Sequence, residues 1–114
     1  MSEYQSAGKT TLSPDVLLTI ARQAALEVEG VTGMAPVKGG VNKLFGRGAE
    51  GVRMTVEDNV VFVDLFLIVK DDVNLREISR TVQHMVARSI AEMTGLTVGH
   101  VNIHIEDIEY PSEV

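Results

Sequence analysis

The feature that most constrains this 114-residue chain is a ten-residue apolar run, Val60–Val69, in which Asp64 is the only charged residue. Strands that are apolar on both faces lie in the middle of a sheet. The run is about half the length of a membrane-spanning helix. It therefore predicts a central β-strand, around which the other elements have to be arranged.

Two amphipathic helices are predicted, one before and one after this strand. Ser13 followed by a proline is typical of a helix start, and an apolar period then predicts a helix over residues 14–29. Gly30 is a natural stop for it. Asn74 predicts the start of a second helix, which has a broad apolar stripe and ends at Gly95.

Two further strands are predicted from apolar residues that alternate with polar ones. The first begins at Val52 and is joined to the central strand by an Asp58-Asn59 turn, as in a hairpin. The second lies between His100 and Glu106, and its connection through the second helix predicts a parallel crossover. The order α-β-β-α-β predicts a single α+β domain, with a three-stranded mixed sheet and two helices packed on one face.

We assign residues 12–108 to this domain. Residues 1–11 show no apolar period and are expected to form a flexible N-terminal tail, and residues 109–114 an acidic C-terminal tail. Within the domain, residues 30–51 are expected to form one long loop, because they hold seven of the ten glycines. This loop is also basic.

Composition narrows the classes of function. Lys and Arg total 10 against 16 Asp and Glu, so the net charge is -6. An acidic chain with 4% aromatic residues is a poor candidate for binding DNA or for stacking RNA bases. The absence of cysteine excludes disulfides, thiol catalysis and zinc–thiolate sites. We expect a soluble, cytoplasmic protein that does not itself insert into a membrane.

No arrangement of residues predicts catalysis or a bound cofactor. His100 and His104 share a strand face, but four residues along a strand span about 13 Å, too far to chelate one metal ion. The motif G-x-G-x-x-G at residues 46–51 lacks the preceding strand that a dinucleotide site needs. We therefore expect no enzyme activity, no cofactor and no metal.

The predicted fold leaves one sheet face without a cover, since two helices can cover only one face. Alternation along the central strand then places Phe62, Asp64, Phe66 and Ile68 on the outward side. An apolar row rimmed by polar groups is typical of a contact surface, so we interpret these four residues as an interface for self-association or for a partner. The alternative is that the loop over 30–51 folds across them. The expected polar rim consists of Arg53, Thr55, Glu57, His100, Asn102 and His104.

A second candidate contact lies in the long loop. The segment Lys38–Arg53 holds four basic residues against one acid, a net charge of +3, with Leu44 and Phe45 at its centre. Such a segment suits an anionic membrane surface or an acidic partner. We therefore take Lys43, Leu44, Phe45 and Arg47 as a candidate loop contact, the alternative being a loop that touches only solvent.

Several separate segments resemble the alkaline shock protein family, also called the envelope stress response family. The resemblance begins in the string IARQAALEVEGV at Ile20–Val31 and resumes at Gly51-Val52 and in the hairpin that follows. It is strongest at Val73-Asn74 and Met93–Val98, with Val101–Ile105 after them. Together these segments cover nearly the whole chain in the right order.

The resemblance implies a non-enzymatic bacterial protein with no catalytic residues to assign. Some members are held at the inner face of the cell membrane by a small membrane-anchor protein and support the envelope under stress. Together with the exposed apolar row, this leads us to expect an oligomerising scaffold or adaptor that associates with the membrane through such a partner. Two alternatives stay open. One is a regulator of a fatty acid synthesis enzyme, a role linked to some members. The other is a KH-like RNA-binding module, because α-β-β-α-β approaches that arrangement and Gly30-Val31-Thr32-Gly33 matches its G-x-x-G clamp.

Overall fold

The structure, a computed structural model, describes residues 12–36 and 50–111. Within these ranges the chain forms two helices and four strands, in the order α-β-β-β-α-β. The elements are α1 (Pro14–Leu26), β1 (Val31–Met34), β2 (Val52–Glu57), β3 (Val60–Lys70), α2 (Leu75–Thr94) and β4 (Thr97–Glu109).

The ends of α2 follow from local chemistry. The side chain of Asn74 accepts a hydrogen bond from the backbone N–H of Glu77 at 3.0 Å, which satisfies one of the free donors of the first turn. At the other end, Gly95 adopts a left-handed conformation with φ of 79° and donates its N–H to Ala91 O at 2.9 Å. Both ends lie where the sequence predicts them.

All other strands pair with β3, the predicted central strand. On one side β2 runs antiparallel to its first half and β1 runs antiparallel to its last residues, so that these two strands lie one after the other. On the other side β4 runs parallel to β3 along its whole length, from Val60 to Lys70. The sheet is therefore mixed, as predicted, and β4 forms one of its edges.

The structure has one strand more than the three predicted. Residues Val31–Met34, which we expected in the long loop over 30–51, form β1. The reason is that β3 has 11 residues and β2 only 6, so the end of β3 has backbone groups that need a partner. Val31 and Met34 are also buried there, and Thr32 Oγ1 donates to Ile68 O at 3.2 Å.

Both helices pack on the same face of the sheet, which confirms the predicted α+β arrangement. The five inward residues of β3 have no exposed surface, and no polar or charged residue is buried in the described part of the chain. The core of this covered face consists of Val61, Val63, Leu65, Leu67 and Val69 from β3, Leu17, Leu18, Ala21, Ala24 and Ala25 from α1, and Ile78, Val82, Val86 and Ile90 from α2.

Candidate functional site

The alternate residues of β3 form the centre of the sheet face that points away from the helices. Phe62, Asp64, Phe66 and Ile68 are partly exposed, in strict alternation with the buried residues of the covered face. The four residues predicted as an interface therefore lie together, and their role as an interface stays a prediction. We call this surface the open face, and it comprises Arg53 and Thr55 of β2, Phe62, Asp64, Phe66 and Ile68 of β3, and His100, Asn102 and His104 of β4.

Each phenylalanine of the open face contacts a histidine of β4. The rings of Phe66 and His104 are stacked, with centroids 4.6 Å apart and an angle of 10° between their planes. The rings of Phe62 and His100 are 4.8 Å apart and tilted by 52°. Because the two strands are parallel and in constant register over this stretch, the same pair of residue types recurs four residues along.

Asp64 lies between the two ring pairs and collects three polar partners. Asn102 Nδ2 donates to Asp64 Oδ1 at 3.2 Å, and His104 Nε2 lies 3.1 Å from the same oxygen. An ionised carboxylate only accepts hydrogen bonds, so His104 Nε2 carries the hydrogen. On the β2 side, Arg53 Nη2 lies 3.5 Å from Asp64 Oδ2. One carboxylate thus joins β2, β3 and β4 across the open face.

The balance of these contacts favours the ionised form of Asp64. Partial burial by itself raises the pKa of this carboxyl, because it disfavours the charge. The hydrogen bonds from His104 and Asn102 and the positive charge of Arg53 outweigh burial, and they hold the pKa of Asp64 below its usual value of 3.8. The centre of the open face is therefore the negative charge of Asp64, which the positive charge and the hydrogen-bond donors around it balance.

Polar side chains cover the apolar row on the open face more than the sequence suggests. The Arg53 guanidinium carbon lies 5.5 Å from the ring centroid of Phe66, within the range of a cation–π contact, while His104 stacks on the same ring. Neither phenylalanine is among the strongly exposed large apolar side chains. Polar side chains of the two flanking strands thus shield the rings and leave them partly accessible.

A close backbone approach fixes one end of this surface. A Cβ atom placed on Gly99 would collide with the ring of Phe62. The ring therefore lies directly over the backbone of β4, at a place where the register between β3 and β4 shifts. Only glycine leaves room for the ring of Phe62 at this position.

The other predicted sites separate into two groups. The loop contact Lys43, Leu44, Phe45 and Arg47 and the tail over 1–11 lie outside the described residues. The G-x-x-G string that suggested an RNA clamp lies within the turn before β1 and in β1 itself, paired with β3, instead of between two helices. In the described ranges, no three His, Asp or Glu side chains are grouped as a metal site would need.

Sequence reasoning placed the histidines only on a polar rim and missed their pairing with the phenylalanines. A signal for that pairing is present in the sequence. The string Phe-Val-Asp-Leu-Phe begins at Phe62, and His-Val-Asn-Ile-His begins at His100. When two strings with the same spacing lie on parallel strands, their polar and aromatic residues lie side by side. Once the register is known, the two strings therefore predict three pairs, two of Phe with His and one of Asp with Asn.

These features define a small α+β domain with one helix-covered and one open sheet face. The chain belongs to the alkaline shock protein 23 family, which is described as having a cell envelope-related function and whose profile matches residues 2–110.

Relatives from two bacteria are similar over most of their length. The uncharacterized protein YqhY of Bacillus subtilis strain 168 is 30% identical over 109 residues, which span 93% of this chain and 81% of YqhY. The uncharacterized protein Spy1614 of Streptococcus pyogenes serotype M6 is 30% identical over 111 residues, spanning 93% of this chain and 92% of Spy1614.

Among solved structures, the copper form of the MamM CTD is similar in fold. Its TM-score is 0.61 at 16% identity, and the match covers 89% of this chain and 92% of that domain. A zinc form of the MamM CTD gives a TM-score of 0.56 at 15% identity, over 86% of each chain. At these identities the likeness concerns the fold alone. As for membranes, neither described helix combines the length and the apolarity that crossing a bilayer requires.

Proposed function

We propose that this protein is a non-enzymatic scaffold or adaptor of the cell envelope, which self-associates through its open face. The observation that carries the proposal is the row of Phe62, Phe66 and Ile68, partly exposed on a sheet face that the helices do not cover. Partly exposed aromatic rings surrounded by hydrogen-bonding groups combine apolar contact area with specificity, which is the composition of protein interfaces.

The open face suits a second copy of the chain for a reason of charge. The chain is acidic overall, with a net charge of -6, yet the centre of the open face holds a neutralised carboxylate and several neutral or basic side chains. Two open faces can therefore meet without a strong net repulsion between their centres. The cell envelope-related function of the family supports the proposal that such an assembly acts at the envelope.

We further propose that a small membrane-anchor protein holds the assembly at the inner face of the cell membrane. This part of the proposal comes from the resemblance to envelope stress response proteins. Neither described helix can cross a bilayer, so attachment through a partner is the route that the proposal requires. The candidate loop contact at Lys43 and Arg47 is a second place where a lipid surface or partner would bind.

The test of self-association is the variant Phe66→Asp. A charge in place of this ring should lower the mass measured by sedimentation equilibrium towards the 12.4 kDa of a single chain. The matched control is Thr81→Asp, which adds the same charge on the exposed surface of α2 and should leave the mass unchanged. An assembly that keeps its mass in the Phe66→Asp variant would exclude the open face as the self-association surface.

The test of the anchor is a pull-down of the tagged protein from detergent-solubilised native cells, without nuclease. A small membrane protein should co-purify in fixed ratio, and the Lys43→Glu, Arg47→Glu double variant should reduce its recovery if the loop is the contact. RNA in the eluate, with no membrane protein, would contradict the proposal and support the RNA-binding alternative.

A further inference from the structure

The edge of the sheet formed by β4 carries free hydrogen-bonding groups. This strand has 13 residues, and within the described ranges it pairs only with β3. Along a parallel pair, every second residue of an edge strand points both its N–H and its C=O away from its partner. Such an edge is a template for another strand.

One side-chain contact identifies which residues of β4 face outward. Gln83 Nε2, on α2, donates to Val101 O at 2.9 Å, so the carbonyl of Val101 points away from β3. By alternation, the N–H and C=O groups of Ile103 and Ile105 point the same way. The register supports this, because Val101, Ile103 and Ile105 lie opposite every second residue of β3.

Within the part of the chain that the structure describes, the outward groups have side-chain partners at both ends of β4 and none between them. At one end the side chain of Gln83 occupies Val101 O. At the other end the N–H of Ile108 donates to Asp107 Oδ1 at 2.8 Å. Between these caps, Ile103 and Ile105 together have two N–H and two C=O groups that face outward. We call these four groups the edge window.

We propose that the edge window pairs with the edge window of a second copy of this chain. The strands run antiparallel about a two-fold axis at His104, so that Ile103 of one copy lies opposite Ile105 of the other. Each copy then uses its two donors and its two acceptors, and four hydrogen bonds form. This inference rests on the self-association of the proposed function and adds a second, separate contact surface to it.

A groove beside the edge window is aligned with the partner's strand under this two-fold axis. The groove, of about 510 Å³, lies between α2 and the start of β4, and its lining includes Arg80 and Val98. Antiparallel pairing brings the end of β4 of each copy alongside the groove of the other. On the covered side of the sheet, where α2 lies, the side chains of that strand end are Ile108 and Tyr110. A strand of unrelated sequence would lack these side chains, and for this reason we favour a second copy as the occupant.

An exposed tyrosine follows this strand end and fits the same arrangement. Tyr110 comes directly after β4, and 69% of its surface is accessible to solvent. In the proposed register it lies opposite Val98 of the second copy, one of the residues that line the groove. The groove therefore offers a surface to a strand end that finishes in an aromatic ring.

Edge pairing also extends the open face. In a hydrogen-bonded antiparallel pair, opposite side chains lie on the same face of the sheet. Because Ile103 and Ile105 are inward residues, the two open faces lie side by side on the joined sheet, with the two His104 residues adjacent. Edge pairing and open-face contact together would build an assembly larger than a dimer, which neither contact builds alone.

The absence of cysteine allows a direct test. In an antiparallel pair, residues opposite each other at a non-hydrogen-bonded position have Cα atoms about 4.5 Å apart, within the range that a disulfide spans. The single variant His104→Cys should therefore form a disulfide-linked dimer rapidly under mild oxidation, seen at twice the 12.4 kDa chain mass on a non-reducing gel. The variant His100→Cys is the matched control. Its two sulfurs would lie about 26 Å apart along the paired strands, so it should remain monomeric on the gel.

Adding Phe66→Asp to each cysteine variant separates the edge from the open face. If the His104→Cys dimer persists with Phe66→Asp present, the pairing does not need the open face. Equal cross-linking of the two cysteine variants, or no cross-linking of His104→Cys, would overturn the edge pairing. The mass change of Phe66→Asp alone reports on the proposed function independently, so either contact can fail without the other.

Discussion

The two faces of β3 are built from the same strand but hold together in different ways. On the covered face, the five residues that β3 contributes are all aliphatic and have no exposed surface. On the open face, Phe62 and Phe66 alternate with a carboxylate, and neighbouring strands supply histidine, asparagine and arginine as partners. Burial from water stabilises the first face without directional contacts, whereas the second depends on stacking and hydrogen bonds of fixed geometry.

The difference shows how a sheet can keep an aromatic surface accessible. Bare phenylalanines on an exposed sheet favour unspecific association. Here His104 and Arg53 approach the ring of Phe66 from the two flanking strands, and Asp64 holds both polar groups in place. A partner that binds this face has to match those positions, so shielding adds selectivity while the rings still supply contact area.

The largest effect is expected on the covered face. Leu65→Ala removes a side chain with no exposed surface and should lower the free energy of unfolding by about 2–5 kcal/mol, because it leaves a cavity. The matched control is Leu75→Ala, at a leucine that is 43% exposed, which should change it by less than about 0.5 kcal/mol. Urea denaturation followed by circular dichroism measures both. Equal effects would mean that the two positions do not differ in packing as the structure has them.

A smaller effect is expected where the open face meets the backbone. Gly99→Ala places a methyl group against the ring of Phe62, and overpacking of this kind costs about 1–3 kcal/mol. Gly33→Ala is the control, because the nearest atom to its added carbon is Ile68 Cδ1 at an ordinary contact distance of 3.9 Å. Thermal unfolding should separate the two variants. If Gly99→Ala is as stable as Gly33→Ala, Phe62 is free to leave its place over β4.

The carboxylate at the centre of the open face should contribute about 1 kcal/mol at neutral pH. Asp64→Asn keeps the shape of the side chain but removes the charge that Arg53 and His104 face. Because folding lowers the pKa of Asp64 below 3.8, its contribution is full above that value and is lost as the pH falls through the lower, folded-state pKa. Unfolding of both proteins between pH 7 and pH 2.5 checks this. The two curves should converge in acid, and a constant difference would contradict the role given to the charge.

The covered face was predictable from the sequence and β1 was not, for a physical reason. The spacing of apolar residues within a segment indicates whether that segment is a strand or a helix and which of its sides is buried. The elements β3 and α2 and their inward residues could therefore be predicted from local spacing. β1 is only four residues long and follows a glycine. It is a strand because the end of β3 extends beyond β2 and needs a partner. This need arises in a distant part of the chain, so the sequence around β1 does not show it.

The open face was predictable in position but not in its contacts. Alternation places Phe62, Asp64 and Phe66 outward. That His104 stacks on Phe66 depends on the parallel register of β3 and β4, which two shifts in the ladder adjust. Side chains 38 residues apart become neighbours only once this register is fixed. The sequence therefore predicts that the histidines lie at the polar rim, and the structure shows which phenylalanine each histidine contacts.

The smallest effect is expected for an ion pair that has no sheet beneath it. Arg88 Nε donates to Glu92 Oε2 at 3.0 Å on α2, closer than Arg53 lies to Asp64, but both side chains are 64% exposed. Water screens this pair, and ordering two long side chains offsets much of the attraction, so Arg88→Ala should cost only about 0.3–0.5 kcal/mol. The loss should also vanish in 1 M salt, where charges on the surface are screened within about 3 Å. A double-mutant cycle with Glu92→Ala, compared with a cycle of Arg53→Ala and Asp64→Asn, would place the two pairs on one scale. If the helix pair couples as strongly as the pair on the open face, then distance alone sets the strength, and the partial burial of Asp64 among its neighbours adds nothing.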